Sequence, residues 1–235
     1  MELRSDAIIR MPRALSPESV GALRCDVKSV LAGPAPVAVL IGADDEIFCT
    51  GLAIEDKGPI QTDPFCEILT LLSDAPKPTL AFVDGKCIGG GFGMACVCDW
   101  MIATERAAFG LPELLWGLIP AMIWPAIVGR LGANVARRWT LSAHTRSARE
   151  ALDAGVIDEL VEPGSAAHRV QRAARMLARL EPRATQQLRR WHREAHTASL
   201  PDALARGAAL TQRMADSVIA RERVDAFTRG ESPWN

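Results

Sequence analysis

Neither sign of charge is in excess: 27 lysines and arginines stand against 28 aspartates and glutamates, a formal net charge of -1. No global basic field therefore exists to hold a polyanion such as nucleic acid. Nor does any apolar stretch run uninterrupted long enough to span a bilayer, which takes about 20 residues. The opening MELRSDAIIRMPRAL scatters its charges and lacks the basic start and unbroken apolar run of a secretory signal. The six cysteines, Cys25, Cys49, Cys66, Cys87, Cys96 and Cys98, include no CxxC pair, and no histidine-rich ligand spacing accompanies them. A cytoplasmic protein with reduced, mostly buried thiols, no membrane segment and no nucleic-acid partner is the expectation. There is also no internal repeat and no low-complexity tail.

What is present is enough apolar material for one substantial core, 49% of 235 residues. The first half alternates strand-like and helix-like runs. Ala7 to Arg10 reads as a short strand. Ser16 and Pro17 offer an N-cap and a first-turn proline for a helix through Leu31, and PVAVLI, from Pro36 to Ile41, reads as a buried parallel strand. The chain thus opens as a βαβ unit. The polar stretch from Ala53 to Thr62 suggests a mobile loop, followed by a helix from about Pro64 to Ser73 and a strand from Thr79 to Val83. A glycine triplet, Gly89 to Gly91, opens an apolar helix ending near Asp99, and Trp100 to Ala103 is a further strand. Periodic segments from Ala133 to Gly155, Ala166 to Leu180 and Pro201 to Thr228 make the second half mainly helical.

Two turns have the features of an oxyanion site, FCTGL at 48–52 and CIGGGFG at 87–93. Glycine permits close backbone approach, and a helix starting at such a turn presents unpaired N–H groups with the positive end of its dipole behind them. One donor in such a site contributes about 3–4 kcal/mol in the transition state. A triplet alone can equally serve tight helix–strand packing. Glu113, in GLPELLWGLIP, has two readings: a first-turn carboxylate complementing a helix dipole, or a carboxylate walled by Leu114, Leu115 and Trp116. Walling of that kind would raise its pKa and suit it to proton transfer near neutral pH.

The run KPTLAFVDGKCIGGGFGMACVCDWMIATERAAFGLPELLWGLIPA resembles the core signature of the enoyl-CoA hydratase/isomerase (crotonase) superfamily. The flanking IRMPRALSPESVGAL, AVLIGADDEIFCTGL and ARRWTLSAHTRSAREALDAGVIDELV match the same family in order. The resemblance implies an α/β crotonase (ClpP/crotonase-like) ββα spiral. It divides the chain into a spiral core at 1–180 and a C-terminal helical trimerisation region at 181–235, giving trimers or dimers of trimers. Carried over by position, the Leu52 and Gly90 amides form the oxyanion hole, and Glu113 is the second of two catalytic glutamates. The first glutamate's position is Gly93, and the aspartate usual two residues after the FxxG glycine is replaced by Ala53, so a two-glutamate water addition does not transfer.

FCTG, VDGK, a triplet without its following glutamate, and LPELLWGLIP together resemble a narrower group. These are the dehydratases of polyketide β-branching, which convert 3-hydroxy-3-methylglutaryl-acyl-carrier-protein to 3-methylglutaconyl-acyl-carrier-protein. The alternatives are a decarboxylase of the same fold, which needs the oxyanion hole but no glutamate base, a hydratase or isomerase of free coenzyme A esters, and a non-catalytic scaffold. No metal or redox cofactor is implied, because coenzyme A or the phosphopantetheine of an acyl carrier protein carries the substrate.

Further candidates each have a plain structural reading beside the functional one. Lys86 is either a contact for a distal carboxylate or a turn lysine, and Gly91 either borders the substrate or only packs. Trp116 and Trp124 shape an acyl cavity or fill core. Arg13 occupies the basic position of the family's N-terminal signature, a contact for the pantetheine or nucleotide arm. His144, His168, His192 and His196 read as surface residues. Arg169, Arg172, Arg175, Arg179, Arg183, Arg189, Arg190 and Arg193 make either a solvated helix face or a docking surface for an acidic carrier.

Overall fold

The computed structural model describes residues 4–53, 62–195 and 198–232. A 3-10 turn at Ser5–Ala7 leads into β1 (Ile8–Arg10) and α1 (Pro17–Ala32). The start of α1 follows from its cap: the Ser19 amide donates to the Ser16 hydroxyl at 3.1 Å, the Ser16 amide donates to the Ser19 hydroxyl at 2.8 Å, and Pro17 has no N–H to satisfy. Then come β2 (Ala38–Ile41), β3 (Ile47–Cys49), α2 (Thr62–Ser73), β4 (Thr79–Val83), β5 (Lys86–Ile88), α3 (Gly90–Val97), β6 (Trp100–Thr104) and β7 (Ala108–Gly110). A 3-10 turn, Glu113–Trp116, precedes α4 (Trp124–Leu131), α5 (Ala133–Ser142), β8 (Arg146–Ser147), α6 (Ala148–Asp153) and β9 (Glu159–Val161). Four helices close the chain: α7 (Ala166–Leu177), α8 (Pro182–Ala195), α9 (Leu200–Ala215) and α10 (Val218–Thr228).

From β2 to β7, successive strands join different sheets. One sheet runs β1-β2-β4-β6-β9, parallel throughout; the other runs β3-β5-β7-β8, parallel except for its last pair. Each turn of the chain therefore places one strand in each sheet and then a helix, the ββα spiral of the crotonase fold. Gly85 makes one of these transfers possible. Its φ is +82°, and a Cβ there would lie 2.0 Å from the Glu46 carbonyl oxygen, so only glycine fits between β4 and β5. Asp84 beside it is anchored by Thr104 and by Arg106, whose Nε donates to Asp84 Oδ1 at 3.0 Å.

Both faces of the five-stranded sheet are covered, and the side chains sort by period two. Ala38, Leu40, Ala81, Val83, Met101 and Ala103 enter the main core with α1, α2 and α3. Val39, Leu80 and Ile102 point the other way, against Val170, Ala173 and Leu177 of α7. The described residues of α8, α9 and α10 include none that is buried. Arg189 nonetheless ties α8 to the body: its Nε donates to Asp99 Oδ1 at 2.6 Å and its Nη2 to the Lys77 carbonyl at 2.8 Å. Among the described residues no helix is long and apolar enough to cross a membrane.

One expectation needs correcting. Ala133 to Gly155 is not one helical run: Ala143 turns left-handed at φ 51°, ends α5 and lets β8 pair antiparallel with β7 before α6 begins. The thiols are mostly buried, as expected: four of the six are, while Cys25 and Cys66 are exposed. The loop expected to be mobile lies, from 54 to 61, outside the described residues, as does His196.

Candidate active site

The two glycine turns meet backbone to backbone. Gly51, at φ +81°, lies so close to the triplet that a Cβ there would be 3.2 Å from the Gly90 nitrogen and 3.0 Å from the Ile88 carbonyl oxygen. The first turn is held from behind by residues 13–15. The Thr50 amide donates to the Arg13 carbonyl at 2.8 Å, the Leu15 amide to Gly51 at 2.7 Å and the Ala53 amide to Leu15 at 3.2 Å. Leu15 thus bonds the two neighbours of Leu52, so the Leu52 N–H points to the opposite side. Gly90 is the first residue of α3, where no intrahelical acceptor exists for its N–H. Gly89, at φ 52° and ψ -122°, supplies the reversal that only glycine makes easily. Two donors without a partner among the described residues therefore sit on adjoining turns, one of them backed by a helix dipole.

Glu113 stands over them. A Cβ on Gly89 would lie 2.9 Å from Glu113 Oε1, while Oε2 is buried with no hydrogen-bond partner. The carboxylate is held there by a tight turn in which the Leu115 amide donates to Pro112 at 2.9 Å and the Leu118 amide to the Glu113 carbonyl at 3.0 Å. Desolvation outweighs a hydrogen bond from its own amide and pushes its pKa above the ordinary carboxylate value. A cavity of about 140 Å³ opens against the site, bounded by Leu15, Leu52, Phe65, Gly90, Met122 and Ile123 among others. Among its described lining residues Glu113 is the sole ionisable side chain, and Thr50 supplies the other polar one. Such an arrangement can take a proton from carbon next to a carbonyl whose oxygen rests on the two amides, and can give it back.

Not every expected residue comes to this place. Leu52, Gly90, Glu113 and Trp116 line the cavity. Leu114 and Leu115 do not wall Glu113; the 3-10 turn throws them outward, Leu115 being 71% exposed. Gly91 is turned to packing, since a Cβ there would lie 2.5 Å from the Cys49 carbonyl oxygen. Lys86 begins β5, at the end away from Ile88 and the cavity, with its side chain exposed. Arg13 pairs with Asp44 outside the lining, and its backbone rather than its guanidinium serves the site. Trp124 packs against the core at the start of α4, and the described histidines, His144, His168 and His192, are exposed.

The arginine run divides between two helices. Arg189 and Arg193 of α8 pair with Asp99 and Asp74, and Arg169 with Glu159. Arg172, Arg175 and Arg179 border a concavity of about 340 Å³ on α7, which covers the sheet face opposite the core that Leu15, Phe65 and Ile123 enter. A larger hollow, about 780 Å³, lies between α8 and the body, but its acids Asp74, Asp99 and Asp158 are already matched by Arg193, Arg189 and Arg130. The smaller, apolar cavity holds Glu113, whose Oε2 is, among the described residues, the one buried carboxylate oxygen without a hydrogen-bond partner.

Comparison with known proteins gives the family. The sequence pattern described as enoyl-CoA hydratase/isomerase matches residues 32–234. The chain belongs to the enoyl-CoA hydratase/isomerase family. Within that family it is 33% identical over 187 residues to the (E)-benzylidenesuccinyl-CoA hydratase of Thauera aromatica, covering 74% of this chain and 71% of that one. It is 34% identical over 131 residues to the bacillaene synthase dehydratase PksH of Bacillus subtilis, covering 52% and 50%. An enoyl-CoA hydratase/isomerase structure from Marinobacter aquaeolei superposes with a TM-score of 0.80 at 27% identity, covering 96% of this chain and 94% of that one. Some family relatives are much longer: the chain spans 23% of one that is 33% identical over 165 residues.

Gly93, where the resemblance implies a first glutamate, has a physical counterpart to that absence. A Cβ on Gly93 would lie 2.1 Å from Ile123 Cγ2, so the space beside α3 is filled by a side chain from the start of α4. Sequence reading passed over Ile123, which stands ten residues from Glu113. The one available signal was the volume that the glycine vacates.

Proposed function

We propose that this chain is a hydro-lyase acting on a 3-hydroxyacyl thioester. Its substrate in this reading is 3-hydroxy-3-methylglutaryl-acyl-carrier-protein, and its product 3-methylglutaconyl-acyl-carrier-protein. The observation that carries the lyase reading is the placement of the half-buried Glu113 carboxylate, whose Oε2 has no hydrogen-bond partner among the described residues, over the amides of two adjoining turns. The thioester oxygen rests on the Leu52 and Gly90 N–H groups. Glu113 removes the α-proton; the electron pair moves into the enolate, then forms the α,β double bond as the β C–O bond breaks. The departing hydroxyl takes the proton back from Glu113 and leaves as water, so the carboxylate is restored.

The choice of substrate is supported by the motif resemblance and by the similarity to a protein named as a bacillaene synthase dehydratase. The described lining offers no cation for a distal carboxylate, so the glutaryl part rests on those two supports. In the same reading the enzyme works in the cytoplasm. The exposed apolar residues Leu200, Leu204, Val218, Val224 and Phe227 of α9 and α10 serve subunit contacts in a trimer or hexamer.

The test is incubation with 3-hydroxy-3-methylglutaryl-carrier protein and, separately, 3-methylglutaconyl-carrier protein, followed by intact mass. Loss of one water from the first supports the proposal. Loss of carbon dioxide from the second, with the first unchanged, moves the assignment to a decarboxylase. Turnover confined to coenzyme A esters retires the carrier-protein substrate.

A further inference from the structure

We infer that Ile123 is a specificity-determining residue of this pocket: it takes up the volume of a second carboxylate and so obliges Glu113 to carry both proton transfers. The inference rests on the lyase reading above for its chemistry, but its steric half stands independently. Ile123 is 3% exposed and lines the cavity that Glu113 enters. Its Cγ2 and Cβ would lie 2.1 Å and 2.4 Å from a Cβ on Gly93. The nearer neighbour is thus a branched side chain clamped close to its own backbone, and that backbone is fixed because the Ile127 amide donates to the Ile123 carbonyl at 3.0 Å. Gly93 is fixed as well, its amide donating to the Gly89 carbonyl at 3.0 Å. Neither partner can yield by a rotamer change, so bulk at one position requires its absence at the other.

The chemical consequence follows from the lining. A pocket whose described lining has one ionisable group has, among the described residues, one candidate to take the α-proton and to protonate the leaving hydroxyl. Its kcat/KM therefore falls at low pH, as Glu113 becomes protonated, and carries no second limb from an acid that must stay protonated. A site with two carboxylates shows both limbs. The aliphatic wall also meets the acyl chain beside the triplet, so trimming it admits a bulkier substituent at the β-carbon.

The steric half is tested without any substrate. In a thermal-unfolding cycle, Gly93→Ala lowers Tm in the native background, and in an Ile123→Gly background, where the Cβ is gone along with the Cγ2, it lowers Tm by at most half as much. Additive effects of the two substitutions overturn the contact, whatever the enzyme does. The chemical half uses the thioester on which the native protein turns over. Ile123→Ala shifts the ratio of kcat/KM for a β-ethyl over a β-methyl substrate upward by about tenfold or more. Gly93→Glu combined with Ile123→Gly adds an alkaline limb to the pH profile that neither the native protein nor Ile123→Gly shows. An alkaline limb already present in the native protein, or a Gly93→Glu variant that keeps native Tm and gains the limb unaided, overturns the role assigned to Ile123. So does an unchanged substituent ratio in a folded Ile123→Ala. Absence of turnover on every thioester, with the thermal coupling intact, refutes the lyase reading and with it the chemical role, while the packing relation holds.

Discussion

Gly89→Ala probes the site through backbone geometry alone. The native residue has φ 52° and ψ -122°, a conformation that side-chain-bearing residues rarely adopt, and the added methyl would stand 2.9 Å from Glu113 Oε1. Holding a non-glycine residue in such a region costs about 1–3 kcal/mol. For a chain of this size 1 kcal/mol corresponds to about 2–4 °C, so Tm should fall by about 2–12 °C. The contact is also several tenths of an ångström inside an ordinary one, so the carboxylate must retreat from the place where the two amides converge. Misplacement on the scale of 1 Å costs about 100-fold in rate, and the turn that aims the Gly90 N–H is disturbed as well. The variant should therefore fold, melt earlier, and lose about two orders of magnitude in kcat with a smaller change in KM. Differential scanning fluorimetry and steady-state turnover on the same preparation separate the two effects. Turnover within threefold of native, in a variant that melts earlier, would refute the placement of Glu113 over the triplet.

Two further predictions concern buried groups. Glu113 has a raised pKa in the folded protein, whereas its unfolded value lies near 4.5. The folded state therefore binds more protons between those two values, and stability falls as pH rises through that window. Glu113→Gln does not titrate, so its Tm should exceed the native one, by a margin that widens as pH is raised from about 4.5 and levels off above the folded pKa. A margin that shrinks with pH would contradict the burial argument. Cys25 and Cys66 are exposed, while burial pushes Cys49 to about 11 and Cys96 and Cys98 to about 12. A thiol reagent at neutral pH should count two cysteines in the native protein and all six after denaturation.

The parts of the fold legible in the sequence are those where local chemistry and tertiary packing agree. Ser16, Pro17 and Ser19 specify the start of α1 by themselves, and the apolar run through Ala38–Ile41 is what a strand covered on both faces requires. The three-residue strands β3, β5, β7 and β9 are too short to carry a period, and pairing with neighbours defines them. Ala143 misled for a different reason. Alanine is the best helix former, and nothing local marks it as the left-handed stop between α5 and β8. At the site, Glu113 and the two turns were visible as motifs. The walls around the glutamate were not, because a four-residue 3-10 turn directs Leu114 and Leu115 to solvent where a longer helix would not. Lys86 reads as a neighbour of the triplet in sequence, but an extended strand carries each residue about 3.3 Å further from the next, and the cavity opens at its far end.

The central claim is that Glu113 moves a proton at the carbon beside a thioester held on the Leu52 and Gly90 amides. Exchange of the α-protons of a 3-deoxy acyl thioester with solvent deuterium measures that step without needing elimination to follow. The native protein should wash deuterium into the α-position, and Glu113→Gln, folded and of higher Tm, should slow the exchange by about 100-fold or more. Equal exchange by the two proteins would contradict the account.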